Sequence, residues 1–302
     1  MPKKDLNHLI SREVANFIVD RKAKKLSPKT IEFYSGELRL WLDYLSSIQK
    51  VQHIEVLEAS HIREYLIHLG DTRNPGGIHA AYRTIGVFLR WWKKETDDEK
   101  WKNPIEKVDP PKVDKTPKEG ISMNNIEMLL ETCDKSFLGQ RDRAIILALL
   151  DSGLRRSEFV ALNMSDVNMN NGSVFVRHGK GNKPRTTFFG NRCLREITRY
   201  MRHREDVKKD APLWTTQSGE RLTGDGLRQM IRRRCEEVGI EEPGLHSFRR
   251  TFALQSLRNG CDIYSLMRMM GHESPETLQR YIKQTHEDIA RAHGQSSPAD
   301  NI

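Results

Sequence analysis

Cysteine is scarce in this chain: four residues, Cys133, Cys193, Cys235 and Cys261, stand far apart among 302. None forms a CxxC pair, so the sequence signals neither a zinc ribbon nor a disulfide framework, and reduced thiols are expected. Long apolar runs are also lacking. No stretch approaches the roughly 18 apolar residues of a membrane-spanning helix, and the opening MPKKDLNHLISREV has no apolar core of a signal peptide. These absences point to the cytoplasm. Nor is there an acidic excess: the formal net charge is +9 and the pI about 9.4, which favours a polyanionic partner without naming it. With 37% hydrophobic and 30% charged residues the chain is expected to fold, and its length suits two domains.

What is present begins with helical periodicity. Over residues 1–102, Ile10, Val14, Phe17 and Ile18 recur at helical spacing, and Ser27-Pro28 reads as an N-cap followed by proline at the first helical position. The helix it starts carries Ile31, Tyr34, Leu38, Trp41, Leu42 and Leu45 on one face. Ser60 is expected to cap a third helix ending at Gly70. Asn74-Pro75-Gly76-Gly77 reads as a loop before a fourth helix from about Ile78 to Lys94. Four amphipathic helices make a small bundle. Residues 103–120 hold four prolines and alternating charge, and read as an extended linker.

Residues 121–302 start with Ser122 as a cap and continue into the apolar RDRAIILALLDSG, ended by Gly153. A short helix opens at Leu154-Arg155-Arg156-Ser157-Glu158. The period then changes from helical to alternating. Asn171-Gly172 is a turn signal, Ser173–Arg177 and Pro184–Phe189 read as strands, and Gly179–Asn182 as the tight turn between them. Helices resume near Asn191–Arg204, Gly224–Val238, His246–Asn259, Ile263–Met270 and Pro275–Gln284. The last seventeen residues turn polar, as in a mobile or partner-docked tail. The fold class expected is mainly α with a small antiparallel β-sheet.

The chemistry concentrates in LHSFRRTFALQSLRNGCDIYSLMRMMGHESPETLQRY. His246 and Arg249 stand at i, i+3, His272 follows a glycine, and Tyr281 comes nine residues later. Breaking a phosphodiester without a metal requires fixed cationic donors for the non-bridging oxygens, an oxygen nucleophile and a proton donor for the leaving oxygen. Arginine suits the first task, because its planar fork donates in pairs and stays charged. Arg155 in SGLRRSE and Lys180 in HGKGNKPR extend the set, the glycines beside Lys180 allowing close approach to a backbone. Each piece alone is common: Arg155 and Glu158 at i, i+3, for instance, make an ordinary helix ion pair.

Together, SGLRRSE at 152–158, HGKGNKPR at 178–185, LHSFRRTFA at 245–253 and MGHESPETLQRY at 270–281 resemble, in order, the motifs of the tyrosine recombinases, or phage-type integrases. The resemblance implies a SAM-like helical core-binding domain over 1–102 and an α+β catalytic domain over 121–302. It implies that Arg155 and Arg249 hold the scissile phosphate and that Lys180 is the general acid. His246 would serve acid–base transfer, His272 would bond the phosphate, and Glu158 would brace the pocket. Tyr281 would be the nucleophile of a 3′-phosphotyrosine link, so that neither metal nor ATP is needed. The implied partners are double-stranded DNA with inverted-repeat core sites and a homotetramer, with or without a related recombinase, that resolves a Holliday junction.

Departures from the family pattern are Arg250 where a histidine is usual, Phe248 where leucine is common, and Arg156 after Arg155. Tyr264 lacks the spacing from Gly271-His272 and is assigned to packing. Two other functions share parts of this reading. An accessory DNA-binding protein without catalysis is disfavoured by the intact set of residue types. A type IB topoisomerase is disfavoured by chain length and motif spelling, which fit an Xer-like or transposon-integrase layout.

Overall fold

A computed structural model of the protein describes residues 8–98, 100–113, 119–177, 183–204, 208–272, 274, 278 and 286–301. The chain divides into two compact units, Met1–Lys115 and Thr116–Ile302.

The first unit is helical: α1 (Ile10–Ala23), α2 (Pro28–Tyr44), α3 (Ala59–Leu69) and α4 (Pro75–Thr96). Ser27 caps α2, its hydroxyl accepting from the Thr30 amide at 3.2 Å. Phe17, Leu38, Trp41, Ile85, Phe88 and Trp92 fill the core. Phe17 and Phe88 meet edge to face with centroids 5.7 Å apart, a favoured aromatic arrangement.

The structure corrects three local expectations. Asn74-Pro75-Gly76-Gly77 is the start of α4, not a loop. Asn74 accepts from the Gly77 amide at 2.9 Å and Pro75 takes the first helical position, where its missing N–H costs nothing. The third helix is capped at Glu58 rather than Ser60, the Glu58 amide donating to His61 Nδ1 at 3.0 Å. The segment starting at 103 does not leave the bundle at once. Asn103 caps a 3₁₀ turn over Pro104–Lys107, and Trp101, Ile105 and Val108 are buried in the first core. Tyr82 anchors the far end by donating to the Val108 carbonyl at 2.9 Å. Pro104 opens the turn, while Ile105 and Val108 after it find a place to bury.

The second unit holds α5 (Met123–Glu131), α6 (Phe137–Ser152) and α7 (Arg156–Ala161). The strands β1 (Ser173–Val176) and β2 (Arg185–Phe188) follow. Then come α8 (Asn191–Met201), α9 (Gly224–Val238), α10 (Leu245–Arg258), α11 (Ile263–Met270) and, after residues outside the described set, α12 (His286–Ser296). Helix α6 is the centre, with Ala144, Ile145, Ile146 and Ala148 fully buried.

The strands are antiparallel, pairing Ser173 with Phe188 and Val176 with Arg185. Alternation sends Val174, Val176 and Thr187 inward and leaves Phe175 and Phe188 exposed. Asn171-Gly172, with Gly172 at φ +73°, turns the chain from the Val167–Val174 bridge into β1. The expected turn at Gly179–Asn182 and most of the expected helix Pro275–Gln284 lie outside the described residues. The polar tail is not structureless: it forms α12, whose buried Asp288 accepts from Arg258 of α10 at 2.7 and 3.0 Å. Among the described residues, no helix is long and apolar enough to cross a membrane.

Candidate active site

Two helix ends build the site. Helix α6 stops at Gly153, whose φ of +58° is the left-handed conformation that glycine adopts freely. A Cβ there would collide with the Phe252 ring, so glycine also lets α10 approach. Helix α11 stops at Gly271, φ +66°, and the His272 amide closes the turn on the Met267 carbonyl at 3.0 Å.

Arg155 is the N-cap of α7 and Glu158 its third residue. The Glu158 carboxylate accepts from the Arg155 amide at 2.8 Å and from Arg155 Nη1 at 2.9 Å. The second arm of Arg155 donates to the Gly271 carbonyl at 3.1 Å. Its side chain keeps 23% exposure, against 3% for Glu158. One carboxylate thus holds the guanidinium while a face stays open to a ligand.

Arg249 is one of the largest fully buried side chains, at 1% exposure. It donates to the carbonyls of Gly153 and Met270, the latter at 2.7 Å, and its Nη2 lies 2.8 Å from His272 Nε2. A buried guanidinium has to find acceptors, and two helix-end carbonyls supply them. Because Arg249 can only donate, Nε2 is the acceptor, which puts any proton of a neutral His272 on Nδ1.

His246 lies in the first turn of α10, one turn before Arg249. Its imidazole keeps one side toward solvent. Desolvation on the other side, and then the positive charges of Arg249, Arg250, Arg155 and Arg156, hold its pKa below the ordinary 6.5. Burial pushes the Glu158 carboxyl up. The hydrogen bonds from Arg185 and the Arg155 amide outweigh it, and Glu158 ends below its usual range.

The structure therefore brings together Arg155, Glu158, Arg249 and His272, with His246 in their electrostatic reach. Lys180 and Tyr281 lie outside the described residues. Tyr264, assigned to packing from its position in the sequence, is instead 72% exposed near the start of α11. Arg185 is the residue that motif reading passes over. It stands in HGKGNKPR, and its signal is strand parity: two positions before the buried Thr187, it faces inward. Among the described residues, no group of three or more His, Cys, Asp or Glu could hold a metal ion.

A buried arginine and a partly open one converging on two helix ends, beside a histidine and under a net positive charge, make an anion site in an α+β unit. Comparisons with known proteins agree with that class. The model of the phage integrase family matches residues 120–288. The tyrosine recombinase XerD of Staphylococcus epidermidis is 30% identical over 296 residues, covering 96% of this chain and 98% of the relative. The tyrosine recombinase XerC of Oceanobacillus iheyensis is 28% identical over 92% of this chain and 93% of its own. The Tn1549 transposon integrase, solved with a circular intermediate DNA, has a TM-score of 0.77 at 17% identity, covering 96% of this chain and 99% of that one. A lambda integrase dimer bound to a core site has a TM-score of 0.74 at 13% identity, over 90% and 77%. At those identities the likeness is one of fold. The chain belongs to the phage integrase family.

Proposed function

We infer that this protein is a site-specific DNA recombinase that cleaves and rejoins strands through a 3′-phosphotyrosine intermediate and a Holliday junction. The observation that carries this reading is the meeting of Arg155, Arg249 and His272 at the ends of α6 and α11. Two guanidiniums held by protein acceptors, one of them also donating to an imidazole, need no reorganisation when a phosphorane gains charge.

In the reaction we propose, the Tyr281 phenolate oxygen attacks the scissile phosphorus. The phenol proton passes to His246, whose depressed pKa keeps it neutral and able to accept at pH 7. The P–O5′ bond breaks, and Lys180 protonates the leaving oxygen. Arg155 and Arg249 hold the two non-bridging oxygens, and His272 bonds the phosphate. Rejoining is the reverse, with a 5′-hydroxyl of the partner strand as nucleophile. The phosphotyrosine conserves the energy of the broken bond, so the cycle consumes no ATP and requires no metal.

The substrate is double-stranded DNA with inverted-repeat core sites, bound by a homotetramer in the cytoplasm, with or without a related recombinase. The helical first unit supplies further phosphate contacts as a core-binding domain. The test is a nicked duplex that traps the cleaved state. Wild type forms a covalent protein–DNA adduct without added metal, and Tyr281→Phe forms none. An adduct that persists in Tyr281→Phe sinks the nucleophile assignment.

A further inference from the structure

Three successive carbonyls end α11, and each is met by a different arginine. Met269 accepts from Arg185 Nε at 2.9 Å, Met270 from Arg249 at 2.7 Å, and Gly271 from Arg155 at 3.1 Å. The carbonyls at a helix C-terminus have no intrahelical partner and carry the negative end of the dipole, which draws cations there. Two of these arginines belong to the site already described. The third does not touch the open face.

Arg185 also holds both oxygens of Glu158, through Nη1 at 2.9 Å and Nη2 at 2.7 Å. Its side chain is 9% exposed. A Cβ built on Gly271 would sit 3.0 Å from Arg185 Cδ and Nε, so the guanidinium stem lies flat against that turn. Among the described residues Glu158 accepts four hydrogen bonds, two from Arg155 and two from Arg185. Arg185 is thus the strut between the carboxylate that holds Arg155 on one side and the helix end that holds Arg155 on the other.

We propose that Arg185 is a positioning residue: by bridging Glu158 and the end of α11 it fixes the guanidinium of Arg155 against the scissile phosphate. This rests on the recombinase reading above, and on Arg155 meeting the phosphate in particular. The planar fork is required, because a lysine at 185 has one nitrogen and cannot meet two carboxylate oxygens and a carbonyl in that plane.

The experiment measures first-order adduct formation on the nicked duplex at saturating DNA for wild type, Arg185→Gln, Arg185→Lys and Arg155→Ala. Melting temperature and DNA affinity are recorded alongside. Loss of ångström-level placement costs about 100-fold in rate, and that is the loss expected for Arg185→Gln with DNA affinity retained. Arg185→Lys falls between it and wild type. A second duplex carries a methylphosphonate at the scissile position, which removes the charge that Arg155 meets. There the wild-type to Arg185→Gln rate ratio shrinks toward one, because a misplaced Arg155 no longer matters.

A ratio equal on the two duplexes means a general structural defect and overturns the proposal. So does an Arg185→Gln rate within about threefold of wild type while Arg155→Ala is slow. An Arg155→Ala rate equal to wild type overturns the site assignment and this proposal with it. If Arg185→Gln does not fold, the same two-duplex ratio is read on Arg185→Lys: a ratio that shrinks on the methylphosphonate supports the strut, and an equal ratio overturns it.

Discussion

Two carboxylates in the second unit are each surrounded by arginines, and they serve different ends. Asp142, fully buried near the start of α6, accepts from Arg141 of its own helix and from Arg233 and Arg234 of α9. The spare donors of Arg141 and Arg234 end on the Thr215 and Thr132 carbonyls and on Glu237. Glu158 accepts from Arg155 and Arg185, but their spare donors end on the last carbonyls of α11, beside Arg249 and His272. Arg155 also keeps an open face. A carboxylate with arginines is therefore not a site by itself. The difference is what the arginines' other contacts converge on: the Thr215 and Thr132 carbonyls and Glu237 around Asp142, where Arg233 alone is half exposed, but around Glu158 the end of α11, where Arg249 and His272 meet.

The nearby titrating groups separate the two clusters as well. Cys133, beside Arg234, is pushed up to about 11 because burial outweighs that cation. At His246, burial and the arginine charges act in the same direction, and both disfavour the imidazolium.

The largest effect expected is on the scaffold cluster. Removing one partner of a buried ion pair costs about 3–5 kcal/mol, since the other charges stay buried without it. Asp142→Ala is expected to lose stability in that range, read by denaturant unfolding of the whole chain. Adduct formation per folded molecule should stay near wild type. Glu158→Gln inverts the pattern. Its stability loss is smaller, about 1–3 kcal/mol for the impaired charged hydrogen bonds, while adduct formation falls about 100-fold as Arg155 loses its register. If both substitutions alter rate and stability in the same proportion, the distinction between brace and site is wrong.

Much of this is legible in the chain alone, and what is not has physical causes. Gly153 and Gly271 announce helix ends, and the ends hold Arg155, Arg249 and His272 together. Ser27 and Ser122 cap as their chemistry dictates. Asn74 reads as a loop because Pro-Gly-Gly usually breaks helices, yet proline and small residues are tolerated in a first turn where amides lack partners. Val108 reads as linker because neighbouring prolines and charges dominate the local composition, whereas burial depends on a surface that α3 and α4 create. Arg185 cannot be assigned without strand register, since a shift of one residue would turn it to solvent. Asp142 stands in the charged triplet Arg141-Asp142-Arg143 at the head of an apolar run, where it reads as a surface charge, and its partners Arg233 and Arg234 lie about ninety residues further along.

A third carboxylate–arginine pair lies between these extremes. Asp288 of α12 is held by Arg258 of α10 in a two-point contact, with side-chain exposures of 5% and 28%. It braces a tail rather than a core. Asp288→Asn keeps the shape and removes the charge, and about 1–2 kcal/mol of docking is expected to be lost. Limited proteolysis should then cut within α12 faster than in wild type, while the midpoint of global unfolding hardly moves. Equal cleavage rates in the two proteins would show that α12 is held by other contacts.

The smallest effect is the proton on His246, and it tests whether the site arginines are under-neutralised. The imidazole pKa in the folded protein lies below 6.5, the ordinary value that the unfolded chain is taken to have. Between those two values the unfolded state binds more protons than the folded one. Stability of the DNA-free protein is therefore full above 6.5, and this contribution is lost as pH falls through that window. Glu158 acts in the same direction at lower pH, because its folded pKa is depressed and its contribution disappears as the carboxylate protonates. An NMR titration of the imidazole in DNA-free protein should give a midpoint below 6.5. Arg250→Ala removes one of the four arginine charges acting on the ring and should move that midpoint up, toward 6.5. Arg233→Ala, in the scaffold cluster, should leave it in place. A midpoint at or above 6.5 in wild type would mean that the charge around Arg155 and Arg249 is already balanced without a phosphate, and the contrast between the two clusters would lose its electrostatic half.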